Sequence, residues 1–147
     1  MTPLDLTAQS PRSAHVEIDG ICYLARAIDK IRAQQPGGNI GPYVLVREDV
    51  PTMQSMFYHR LAIAHDDFTK AVASEETDAG VAAWVRAHTS DERIAKWNRQ
   101  TLNTKLSDLP PEALARVRNV HPCASGMQPE TLLVDVFDAD DAAMFAS

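Results

Sequence analysis

Arg26-Ala27-Ile28-Asp29-Lys30-Ile31-Arg32-Ala33 decides how this chain is read. It lies inside residues 20–35, a run whose apolar positions recur at helical spacing. Wound at 100° per residue, Ile21, Leu24, Ala25, Ala27, Ile28 and Ile31 fill one arc. Asp29 falls at the edge of that arc and Arg32 falls inside it. An ordinary surface helix keeps its charges on the opposite face. A charged pair at i,i+3 leaning into the apolar face is either a partly buried ion pair or part of a polar site.

Outward from this helix, Asp19 is placed to cap its start and Gly37-Gly38 to end it. Residues 36–42 hold three glycines and two prolines, a loop. Tyr43-Val44-Leu45-Val46 has the composition of a short strand without an obvious partner. Pro51 opens a second helix over residues 52–64. Asp66 or Asp67 opens a short third. Thr77 caps a fourth, in which Val81, Trp84, Val85 and His88 recur at i, i+3, i+4, i+7. Ser90, with Asp91 and Glu92 behind it, starts a fifth that runs to about residue 106. Pro110-Pro111-Glu112 starts a sixth, and residues 121–126 form a loop. Helix and strand periods fit residues 131–137 equally well. Residues 138–147 read as a solvated acidic, then alanine-rich, tail. The expectation is a mainly α protein, an irregular bundle of five to six helices with at most one or two short strands. Residues 1–17 form an extended arm, 18–141 a single helical domain and 142–147 a C-terminal tail.

The chain has 147 residues, 45% of them hydrophobic and 23% charged, with a net charge of −6. That is long enough to bury a sizeable core. The acidic balance argues against a nucleic-acid binder, which needs a basic patch to neutralise phosphates. No apolar run approaches the roughly 18 residues of a membrane span. Residues 1–14 lack the charged and apolar regions of a secretory signal. Cys22 and Cys123 stand apart without CxxC spacing, so two free, reduced thiols are expected. A cytoplasmic protein follows.

Ser10-Pro11-Arg12, Leu24-Ala25-Arg26-Ala27-Ile28-Asp29-Lys30-Ile31-Arg32-Ala33, Gly41-Pro42-Tyr43, Phe68, Asp78, Trp84-Val85, Trp97-Asn98 and Asp135-Val136-Phe137-Asp138-Ala139-Asp140-Asp141 occur in this order. Together they resemble a small bacterial family catalogued as a domain of unknown function, number five thousand and sixty-nine. The resemblance implies a small cytosolic helical domain and supplies no catalytic mechanism. Three departures stand out. The segment from Val46 to Ser55 is longer than usual. Gln54 falls where that family tends to carry an aspartate, and Leu61-Ala62-Ile63 where it tends to carry Leu-Gly-Ile.

Two functional readings remain open. In the first the chain is a small-molecule-binding domain, and an acid/base enzyme without a cofactor is one form of it. Arg26 and Arg32 then hold an anionic metabolite, because a guanidinium fork grips carboxylate or phosphate bidentately. Asp29 or Lys30 moves a proton. Tyr43, Trp97 and Asn98 line the site or orient the ligand. The plainer alternative makes the charged cluster a set of helix ion pairs, Asn98 a structural amide and the tryptophans core. In the second reading the chain binds another protein, or itself, through an exposed face, with Met53-Met56-Phe57-Tyr58 as the expected apolar patch. No HExxH, HxxxH or Cys/His spacing occurs among the five histidines, so no metal site is expected.

Overall fold

The computed structural model describes residues 3–146. The first two residues of the expected arm and the last residue of the tail lie outside the described residues. Among the described residues, seven helices and one two-stranded sheet make the fold mainly α. The chain divides into two compact units, the second beginning at Arg99.

In the first unit residues 3–16 form no helix but are pinned to the fold. The Leu6 amide donates to the Asn39 carbonyl (2.7 Å) and the Asn39 amide to the Leu4 carbonyl (3.0 Å). Leu6 and Ala14 are buried. β1 (Glu17–Ile18) pairs antiparallel with β2 (Ile21–Cys22). Asp19 and Gly20 make the turn, with φ of 50° and 74°. Two successive positive φ values are those of a type I′ hairpin, which Asp-Gly favours. Asp19 therefore caps no helix.

α1 (Leu24–Gln34) begins four residues later than expected, after Tyr23 in a left-handed conformation (φ 69°). Every residue from Leu24 to Ile31 is buried, Arg26, Asp29 and Lys30 included. The arc seen in the sequence is real, but its opposite face is enclosed too.

α2 (Met53–Leu61) starts with a capping box between Thr52 and Ser55. It ends at Ala62, left-handed at φ 56°. Residues 43–46 are not a strand: Val44 and Val46 are exposed and only Leu45 turns inward. α3 (His65–Ser74) and α4 (Asp78–His88) follow, the latter capped by Thr77 as expected. α5 (Asp91–Asn103) carries Ile94 and Trp97 into the core. Phe57 sits among Tyr23, Tyr58, Phe68 and Trp97, with ring centroids 5.4–5.9 Å away at the tilted and edge-on angles aromatic pairs prefer. Phe57 and Tyr58 are thus core, and the expected apolar patch on this segment does not form.

The second unit holds the end of α5, a 3-10 turn at Leu106–Asp108, α6 (Pro111–Val120), a second 3-10 stretch at Pro122–Gly126, and α7 (Leu133–Met144). Leu106, Ala124, Leu133 and Val136 form its core, packed by Leu114, Val117 and Phe137. Residues 133–144 are helix, which settles the ambiguous segment and removes most of the expected solvated tail. Asp141 is buried, and the Asp140 carboxylate lies 2.9 Å from His121 Nδ1. Among the described residues no helix is long and apolar enough to cross a membrane.

Candidate functional site

Three segments of the first unit meet at Asp29. The N-terminal segment brings Arg12, α1 brings Asp29 and Arg32, and the first turn of α4 brings Asp78. Arg12 donates to the Asp29 carboxylate three ways: from its backbone amide (2.8 Å), from Nε (3.1 Å) and from Nη2 (3.0 Å). The outer edge of the same guanidinium reaches Asp78, with Nη1 at 2.7 Å and Nη2 at 3.2 Å. Arg32 Nη1 stands 4.0 Å from Asp29 Oδ1. One planar fork thus bridges two carboxylates, a geometry an ammonium cannot match. Burial works against the Arg12 charge. The Asp78 and Asp29 carboxylates outweigh it and hold the guanidinium above its ordinary pKa.

A small cleft of about 240 Å³ opens beside this network. Leu4, Gln9 and Ser10 line it with Arg12, Asp29, Arg32 and Asp78. A larger open depression of about 530 Å³ lies over residues 47–51 and α2. There Arg47 closes on its neighbour Asp49 at 2.7 Å, and both side chains are exposed.

The other expected site residues go elsewhere. The Arg26 guanidinium lies over the Tyr43 ring, 5.6 Å from its centroid, and donates to the Arg12 carbonyl (3.4 Å). Lys30 points away from Asp29, toward Tyr23. Its ammonium donates to the Tyr23 hydroxyl (3.4 Å), which donates to Gln54 Oε1 (2.8 Å). Gln54 Nε2 donates to the Tyr58 hydroxyl (3.0 Å), which lies 2.9 Å from His65 Nδ1. Gln54 is fully enclosed, so these partners satisfy an amide that would be costly to bury alone. Burial also pushes the Tyr23 and Tyr58 phenols above their ordinary pKa.

Trp97 and Asn98 hold the hairpin. Trp97 Nε1 donates to the Cys22 carbonyl (3.0 Å). Asn98 Oδ1 accepts from the Cys22 amide (3.1 Å) and its Nδ2 donates to the Gly20 carbonyl (2.7 Å). The structure therefore brings only Asp29 and Arg32 of the expected set to one cleft.

Arg12, Asp78 and Gln54 were not expected in these roles. Arg12 lies 17 residues from Asp29 and 66 from Asp78 in sequence, beyond any local pattern. Gln54 was marked only as standing where the resembling family tends to carry an aspartate, and by its place on the apolar side of a short helix.

A family profile described as a domain of unknown function, DUF5069, matches residues 8–143. That is most of the chain. The chain belongs to the DUF5069 family. The match takes in every residue of this chain's ion network, from Arg12 through Asp29 and Arg32 to Asp78. No curated protein matches this DUF5069 chain.

Proposed function

We propose that the chain is a small-molecule-binding helical domain whose ligand enters the cleft beside Arg12, Asp29, Arg32 and Asp78. One observation carries this reading. Asp29 is nearly enclosed, yet it shares a concave surface with two guanidiniums and a second carboxylate drawn from three segments. A chain needs no such convergence to hold a helix, since buried ion pairs add little net stability over apolar packing. Arg32, on the cleft wall, is the group that meets an anionic part of the ligand. The three donors of Arg12 already hold Asp29, so it anchors the site rather than carrying a proton. A reducing, bacterial cytoplasm belongs to the same reading. The two cysteines support it, being unbridged, with Cys22 buried.

The test is thermal unfolding of the wild type and of Arg32→Ala against small carboxylates, phosphates and amino-acid mixtures. A ligand at about a hundred times its dissociation constant adds roughly 2.7 kcal/mol, a readable shift. The expected result is a shift in the wild type that Arg32→Ala loses. Absence of a shift with every compound, or an equal shift in the variant, overturns the assignment.

A further inference from the structure

Resting on the binding reading above, we infer that the ligand of this cleft is a small zwitterion bearing a carboxylate and an ammonium, the charge pattern of a free α-amino acid. The lining charges are two guanidiniums, Arg12 and Arg32, and two carboxylates, Asp29 and Asp78. A simple anion gains from the first pair and is repelled by the second. A simple cation meets the reverse. Only a ligand carrying both signs gains from both ends.

The two ends are also distinguishable. Both carboxylates accept from Arg12 on both oxygens, but only Asp29 is enclosed, and it serves as the floor. The Asp78 side chain is 34% exposed and the Arg32 side chain 22% exposed, so each presents its charge to the cleft. Contacts of 4.0, 3.0 and 3.2 Å lead from Arg32 through Asp29 and Arg12 to Asp78. The opposite charges therefore lie at most about 10 Å apart, within reach of a small molecule hydrogen-bonded at both ends. Arg32 takes the carboxylate in its fork, and Asp78 takes the ammonium as a charge-assisted acceptor. Ser10 and Gln9 add neutral hydrogen-bonding groups, and Leu4 an apolar contact. The volume of about 240 Å³ falls below that of pockets that take drug-sized ligands, roughly 300–1,000 Å³, and suits a small ligand.

The experiment titrates the full chain, at fixed ionic strength, with serine and with its two half-charges, acetate and methylammonium. Backbone amide NMR shifts at residues 10, 12, 32 and 78 are the readout. Serine is expected to saturate these shifts at concentrations about tenfold or more below either half, the effect of one charged hydrogen bond. Asp78→Asn should weaken serine by about tenfold and leave acetate unchanged or tighter, and Arg32→Gln should weaken both. Unfolding curves of each variant establish that it is folded before titration. Acetate binding as tightly as serine overturns the zwitterion and leaves a small-anion cleft. Serine failing to bind, while a phosphate or dicarboxylate shifts the wild type in the thermal screen, also overturns the zwitterion alone. Silence in both experiments removes the binding reading itself.

Discussion

Ala62 carries a cost that its neighbours cannot relieve. It closes α2 in the left-handed region, with its amide donating to the carbonyls of His59 and Tyr58. A Cβ in that conformation crowds the following carbonyl, which is why glycine is favoured at this cap position. Ala62→Gly is expected to raise stability by about 0.5–1 kcal/mol, the relief of strain less the extra freedom of the unfolded glycine. The midpoint of urea unfolding measures it. The same scale shows what a sequence tells and what it withholds. Asp29 announced itself by leaning into an apolar arc, and it is indeed nearly buried. Its real partner did not, because Arg12 is delivered by the path of a segment with no regular structure. Asp29 and Lys30, adjacent in sequence, stood as alternative proton carriers for one site. A step of 100° sends them to different neighbours.

Helices were legible where the signal is local. Thr77 and the i, i+3, i+4 spacing of Val81, Trp84 and Val85 gave α4 nearly to the residue. The start of α1 was hidden because Ile21 fits the helical arc as well as it fits a strand. The Asp19-Gly20 pair, a strong hairpin signal, was absorbed into a cap. Residues 43–46 had strand composition, but a strand is a pairing and no neighbour supplies one. α5 secures the hairpin that periodicity missed. Asn98→Ala is expected to cost about 1 kcal/mol, since it removes the bond to the part-buried Cys22 amide, while the exposed Gly20 carbonyl can turn to water. Hydrogen exchange at Cys22 should accelerate in the same variant. Unchanged exchange would mean that the Trp97 contact alone holds the strand.

At the scale of the molecule, class was readable and the site was not. Mainly helical architecture follows from many short-range patterns, each sufficient alone. The cleft needs three segments at once, and only folding brings them together. The whole chain also titrates in a way its two enclosed tyrosines dictate. Burial raises both phenols above the ordinary value of 10.0, so the folded chain keeps protons that the unfolded chain releases. The contribution of these two phenols to stability is therefore constant below about pH 10 and is lost as pH rises above it. Urea midpoints between pH 8 and 11 check this, and Tyr58→Phe should make the decline shallower.

The chain from Lys30 to His65 has a polarity. Lys30 gives to Tyr23, Tyr23 to Gln54, and Gln54 to Tyr58. The Tyr58 hydroxyl then stands 2.9 Å from His65 Nδ1, at the end of the row. The carboxamide in the middle receives on oxygen and gives from nitrogen, so no proton hops across it. The row works as a line of compass needles rather than a wire. From Lys30 to Tyr58 each member holds the next in orientation, without any charge moving through the core.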